Sequence, residues 1–302
     1  MSYTTYVTTW GINPLEQVQD MIANNVITSQ TRVVLAFASF NFDSQDYIPG
    51  FGGLTMDDTK QIVDLVHQHN GHISLSVGGA TYPFAGSDLY SRPGDLATNI
   101  NAILLKCGFD GVDFDIEDSG VPSDFANNAA SLINTLKSIN SSLYITLTTA
   151  AQAWGGGMYQ QQLINYTIGN LDAWQPMEYD LWIASGNSYT DQIKYDIDYY
   201  MTTWGVSADK MILGLMPGND DMGRNLSLQD ALNMTDYAKT QGMKGIMTWD
   251  ANNDGKGVDG NAKYGYSLGI MSHLQGNSIP EDWHQLRHKL RSMYAAPKNF
   301  SS

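Results

Sequence analysis

Eight short runs rich in β-branched and aromatic residues alternate along this chain with eight longer amphipathic segments. That alternation restricts the fold more than any other feature. The spacing predicts strands over Thr5–Trp10, Arg32–Phe37, His72–Val77, Gly111–Ile116, Leu143–Thr148, Ala173–Tyr179, Met211–Met216 and Gly245–Trp249. Helices are predicted over Pro14–Asn24, Met56–Gln68, Ala97–Cys107, Ser123–Ile139, Gln160–Ile168, Asp191–Thr203, Leu228–Thr240 and Pro280–Tyr294. The last has Pro280 at a first helical position with two acids behind it. Repeated roughly every 30 to 40 residues, such units make an α/β chain that closes as a (β/α)8 TIM barrel. An open doubly wound sheet would have about five or six strands and a phosphate-binding glycine loop after the first. This chain has Trp10-Gly11-Ile12-Asn13 at that place. No Pro/Ser-rich linker interrupts the pattern, so one domain over residues 1–302 is expected.

Charge removes several partners. The chain carries 16 Lys and Arg against 31 Asp and Glu, a formal charge of −15. Nucleic acid and anionic membranes both need clustered cations, so neither is expected as a partner. Cys107 is the single cysteine, which excludes an intrachain disulfide and a cysteine-based zinc site. The opening MSYTTYVTTWG lacks a charged start and a long apolar run, and no stretch nears about 18 apolar residues. Neither a signal peptide nor a spanning helix is therefore predicted in this sequence. Seven Trp and 17 Tyr suit the apolar faces of sugars as well as a protein core.

In a barrel of this kind the chemistry lies at the C-terminal ends of the strands. Trp10, Ser76, Glu117, Gln152, Tyr179, Asp180, Trp249 and Asp250 fall at or just past predicted strand ends. Trp204 and Trp283 do not, and are read as packing residues. The most informative segment is Phe109-Asp110-Gly111-Val112-Asp113-Phe114-Asp115-Ile116-Glu117-Asp118. Strand alternation turns Val112, Phe114 and Ile116 one way and Asp113, Asp115 and Glu117 the other, with about 7 Å between second neighbours. Three acids crowded in a barrel lumen cannot all ionise, so one keeps a proton near neutral pH, as a general acid must. A metal cage is disfavoured, because no His lies near and metals draw ligands from several strands. Two carboxylates on opposite sides of a glycosidic bond would suit a conventional glycosidase. A row on one strand better suits one acid with supporting neighbours and a nucleophile supplied by the substrate.

Asp110-x-x-Asp113-x-Asp115-x-Glu117 resembles the DxxDxDxE motif of glycoside hydrolase family 18, the chitinases and endo-β-N-acetylglucosaminidases. Ser76-Val77-Gly78-Gly79 is similar to the family's strand-three SxGG motif, and Met177-Glu178-Tyr179-Asp180 to its strand-six MxYD motif. Trp249 stands where the family has a strand-eight tryptophan. A weaker likeness runs from Gly205-Val206-Ser207-Ala208-Asp209-Lys210 into Met211-Ile212-Leu213-Gly214.

The resemblance implies a substrate-assisted mechanism. Glu117 would protonate the glycosidic oxygen while the 2-acetamido carbonyl attacks its own anomeric carbon to give an oxazolinium ion. Asp115 would orient the acetamido N–H, Asp113 would share a proton with it, and Tyr179 would donate to the acetamido oxygen. Trp249 would floor the subsite of the cleaved sugar, and Asp180 and Met177 are further candidate substrate-binding residues. Gln152, Trp154, Trp182 and Trp10, in or near the top loops, are candidate sugar contacts. Ser76, Gly78 and Gly79 are read as packing positions.

The implied activity is retaining, internal hydrolysis of β-1,4-N-acetylglucosamine linkages in chitin or chitooligosaccharides. An endo-β-N-acetylglucosaminidase acting on N-glycan cores is the alternative enzyme, and a non-catalytic lectin on the same barrel is the alternative binder. Lectins of this type commonly lose the terminal Glu, which is present here as Glu117. Neither a cofactor nor a metal is expected, and the protein is expected to be a monomer. It is expected to be secreted, with its leader processed away, or else cytoplasmic. Some family members carry an α+β insertion between strands seven and eight, but about 28 residues separate Met216 from Gly245, room for one helix. Asp250-x-Asn252-x-Asp254-Gly255 copies half a calcium loop, yet Asn261 stands where the closing Glu belongs. Five N-x-S/T sequons begin at Asn140, Asn165, Asn225, Asn233 and Asn299, a number an Asn-rich chain reaches by chance.

Overall fold

Eight parallel strands pair edge to edge until the last meets the first. The computed structural model describes residues 1–38, 54–81, 92–118, 121–151 and 158–276. In chain order, β1 (Ser2–Thr8), β2 (Thr31–Ala38), β3 (His72–Gly78), β4 (Gly111–Ile116), β5 (Tyr144–Ala150), β6 (Ala173–Met177) and β7 (Ile212–Leu215) are the first seven staves. A two-stranded hairpin follows, β8 (Gly218–Asn219) with β9 (Asn225–Leu226), and β10 (Gly245–Thr248) closes the cylinder between β7 and β1. The (β/α)8 barrel is thus the architecture, and only this short hairpin and one helix lie between its seventh and eighth staves.

The helices are α1 (Pro14–Ala23), α2 (Met56–Gln68), α3 (Pro93–Cys107), α4 (Phe125–Ile139), α5 (Met158–Thr167), α6 (Tyr189–Thr202), α7 (Leu228–Gln241), α8 (Ala251–Asp254) and α9 (Gly265–Leu274). Local chemistry fixes their starts. Thr55 with Asp58 and Ser188 with Asp191 form capping boxes at α2 and α6. Each satisfies backbone N–H groups that the helix leaves open, worth about 1 kcal/mol per cap. Pro14 and Pro93 open α1 and α3 at positions where a missing N–H does no harm.

Two hydrophobic layers result from strand alternation. Val112, Phe114 and Ile116 of β4 join the large core between strands and helices, whereas Tyr6, Val34, Ala36, Phe37, Met177, Tyr179 and Met247 fill the lumen. Asp113 and Asp115 face that lumen.

The last barrel helix among the described residues is α9, which the sequence pattern did not predict. Its sequence GYSLGIMSHL is buried on most of its circumference, so it has no polar stripe to give a helical period. Gly269 lets it settle on α7, where a Cβ would lie 3.2 Å from the Leu232 side chain. The predicted Pro280–Tyr294 helix and Trp283 lie outside the described residues. No helix among the described residues is long and apolar enough to cross a membrane.

Candidate active site

Asp113 sits at the centre of the lumen, wholly buried. The register of β3, β4 and β5 sets Ser76 and Thr146 beside it on either strand. Ser76 Oγ and Tyr6 Oη donate to its Oδ2 at 2.7 and 2.8 Å. Thr146 and Thr148 hydroxyls donate to Oδ1 at 2.7 and 2.8 Å, and Gln175 Nε2 adds a longer bond at 3.2 Å. Burial raises the Asp113 carboxyl above its usual range, and these donors pull it part of the way back. Ser76 is therefore a hydrogen-bond donor to an acid and more than the packing residue its small size suggested.

Asp115 is two residues further up the same face and is treated differently. It is 3% exposed, and its Oδ1 has no hydrogen-bond partner among the described residues. Burial, then the charges of Glu117 and Asp113, hold its carboxyl well above the ordinary range. Of the two neighbours, Asp113 has the donors needed to carry charge, so the proton rests on Asp115. An Asp115→Asn protein should accordingly melt at a higher temperature than wild type at pH 7. A raised folded pKa adds stability at low pH that is lost as pH rises, so the difference should shrink toward pH 4. Equal melting temperatures at both pH values would contradict this proton placement.

Glu117 lies one residue past the end of β4. Burial pushes its carboxyl up to about 7; the Ala80 backbone N–H opposes this, while Asp180 and Asp118 add to it. Tyr179, buried just past β6, is raised far above the usual phenol range by burial and by the charges of Asp115 and Glu117. Its hydroxyl stays protonated and so is available as a hydrogen-bond donor. Asp180 follows with φ +55°, a left-handed conformation that Asp tolerates better than most residues. Its N–H donates to Asp220 Oδ2 at 2.9 Å, and its Oδ1 accepts from Met222 N–H at 3.1 Å. Asp220 also accepts from Tyr189 Oη and Arg224 N–H, so one carboxylate joins the end of β6, the start of α6 and the hairpin.

Trp249 caps the lumen within an aromatic cluster. Its ring meets Tyr6 at 5.3 Å, Phe37 at 5.8 Å and Trp10 at 6.2 Å, and Trp10 stacks on Phe37 at 5.8 Å. Gly79, at φ +87°, leaves the space Phe37 occupies, since a Cβ there would fall 2.6 Å from that ring. Met177 lines the same lumen. Trp182 is 67% exposed beyond Asp180, and Trp204 packs on Trp174 and Tyr200 away from the site. Gln152 and Trp154 lie outside the described residues.

Tyr6, Phe37, Thr146, Thr148, Gln175 and Asp220 were not singled out from the sequence. A signal existed for two of them: Thr146 and Thr148 share one face of a strand whose other face carries Ile145 and Leu147, much as Asp113 and Asp115 lie opposite Val112, Phe114 and Ile116. The segment resembling a calcium loop serves as backbone caps. Asp250 accepts from Asn253 N–H, Asn252 from Thr8 N–H, and Asp254 from Tyr266 and Ser267 N–H. Among the described residues no three His, Cys, Asp or Glu converge on a metal position.

Solved structures share this architecture. Active domain 2 of chitinase from Pyrococcus furiosus superposes with a TM-score of 0.71 at 17% identity, covering 92% of this chain and 96% of that one. A chitinase from Bacteroides thetaiotaomicron gives 0.68 at 16%, covering 93% and 99%. YKL-39, solved in the presence of chitooligosaccharides, gives 0.67 at 13%, covering 92% and 100%. Identities this low show the shared fold. Among curated proteins no sequence match is significant. The sequence profile described as glycosyl hydrolases family 18 matches residues 2–221, from the first strand through the acids of β4 and the end of β6 into the hairpin. The chain therefore belongs to glycosyl hydrolases family 18.

Proposed function

We propose that the protein is a retaining glycoside hydrolase that cuts β-1,4-linked N-acetylglucosamine polymers, with the substrate's acetamido oxygen as nucleophile. The observation that carries this reading is Glu117, a carboxyl raised to about 7 at the mouth of a lumen holding two more acids of the same strand. A group near this value both holds a proton at neutral pH and gives it up readily. Glu117 donates that proton to the glycosidic oxygen as the acetamido oxygen attacks the anomeric carbon and the glycosidic bond breaks. Tyr179 donates to the acetamido oxygen and sets its angle of attack. Positive charge on the resulting oxazolinium favours ionised Asp115, whose proton passes to Asp113. The Tyr6 and Thr148 hydroxyls lie 2.9 Å apart, so one can turn to the other as Asp113 becomes neutral. Glu117, now a carboxylate, takes a proton from the water that opens the ring and restores the β-anomer. The Trp10–Phe37–Trp249 surface gives the sugar a flat apolar floor.

Cleavage of a defined series of N-acetylglucosamine oligomers, set beside a high-mannose glycopeptide, tests the reading. Release from the oligomers is expected. Binding without turnover on either substrate would leave only a sugar-binding barrel.

A nine-residue hairpin stands where a walled cleft would need a whole domain, so internal cuts with frequent release are expected. Viscosity of a soluble chitin derivative should fall early relative to new reducing ends. A slow fall with disaccharide as the main first product would contradict the internal mode.

A further inference from the structure

Glu178 is fully buried between the lumen residues Met177 and Tyr179, and its side chain leaves the barrel on the opposite side. There it meets α6. Tyr200 Oη donates to its Oε1 at 3.0 Å, while its Oε2 has no N–H or O–H partner among the described residues. Asp196, also fully buried on α6, lies close enough that its charge, after burial itself, holds the Glu178 carboxyl well above the ordinary range. Asp196 in turn accepts from Gln192 Nε2 at 3.1 Å. Two like charges buried this close cannot both ionise readily, so the pair keeps a proton between two acids. Among the described residues the titratable groups facing Glu178 are thus Asp196, Tyr200 and Tyr189. Tyr189, at the start of the same helix, shares its one hydroxyl hydrogen between Asp220 Oδ2 at 3.2 Å and the Glu178 carbonyl oxygen at 3.4 Å. The backbone of Glu178 is anchored as well, its N–H donating to Gly214 O at 3.0 Å. No part of the hydrolytic scheme uses this acid, although burying it is expensive unless it is satisfied.

We propose that Glu178 is a positioning residue that clamps the end of β6 to Asp196 and Tyr200 of α6, holding Tyr179 and Asp180 opposite the acids of β4. The proposal rests on the hydrolase reading for its consequence in turnover but not for the clamp itself. Its chemistry requires one hydrogen between positions 178 and 196 and one acceptor for Tyr200. A glutamine supplies both: its amide N–H donates to Asp196 and its oxygen accepts from Tyr200. An alanine supplies neither and leaves Tyr200 and Asp196 to find new partners.

Turnover of an N-acetylglucosamine tetramer and amide hydrogen exchange of residues 177–182 should be measured for wild type, Glu178→Gln, Asp196→Asn and Glu178→Ala. The two amide variants are expected to keep kcat within about twofold at pH 6 and to exchange as slowly as wild type. Glu178→Ala is expected to lose about 10- to 100-fold in kcat with little change in KM, the scale of a small misplacement of reacting groups. Its exchange over residues 177–182 should quicken. Melting temperature supplies a readout that packing alone would not move. Wild type should lose stability as pH rises from the ordinary carboxyl range toward the raised value of the pair, whereas Glu178→Gln should lose less. If Glu178→Ala does not fold, the pH dependence of melting in the two amide variants decides the matter. Wild-type kcat and exchange in the alanine variant, or equal losses in the glutamine and alanine variants, would overturn the clamp. Absence of turnover in every protein would defeat the hydrolase reading instead, while exchange and melting would still test the clamp.

Discussion

Glu117→Gln is expected to lower turnover of N-acetylglucosamine oligomers by at least about 10² to 10⁴, the contribution of a positioned general acid. The amide keeps the shape and the capacity for hydrogen bonding but has no proton to transfer, so oligomer affinity should survive. A companion pH profile carries its own sign. The working form of Glu117 is protonated, and its carboxyl is pushed up to about 7, so kcat/KM should decline as pH rises through that value. The variant's residual rate should lack that decline. Activity near wild type in Glu117→Gln would remove Glu117 from the proton transfer and with it the proposed scheme.

The second large effect is expected on the substrate side. Oligomers whose cleaved sugar lacks the acetyl group should be hydrolysed orders of magnitude more slowly, since an oriented internal nucleophile has an effective molarity of about 10⁵ to 10⁸ M. The first product released from the acetylated oligomer should be the β-anomer, readable by NMR before mutarotation. An initial α-anomer would mean direct attack by water. Equal rates with and without the acetyl group would mean that the protein supplies the nucleophile. The second outcome would turn attention to Asp115, which in this structure is poorly placed for the part. It is buried, its carboxyl is held well above the ordinary range, and no donor that would stabilise a charge reaches its Oδ1 among the described residues.

The staves of the barrel could be read from the chain because burial on both faces leaves runs of β-branched and apolar residues that no helix would keep. Gly111–Ile116 was predicted and found over the same residues. The α9 helix could not be read. A helix covered on nearly all sides has neither an amphipathic period nor a polar face, and its two glycines argue locally for a turn. The aromatic floor was legible only in part. Trp249 announced itself by its place at a strand end, whereas Phe37 looked like one more apolar residue of a core strand until Gly79 was seen to make room for it.

By itself the sequence determined that Asp113, Asp115 and Glu117 share one face of one strand, because the two-residue period of an extended chain is a local property. Which of them carries the proton was decided by tertiary structure alone. The donors that favour charge on Asp113 come from β1, β3, β5 and β6, at sequence distances from 33 to 107 residues, and none reaches Asp115 Oδ1 among the described residues. The same holds for Asp220, which fixes Asp180 from 40 residues away, and for Asp196, which meets Glu178 across the interface of strand and helix. Protonation energies depend on what lies within a few ångströms in space, and only closing the barrel brings those groups together.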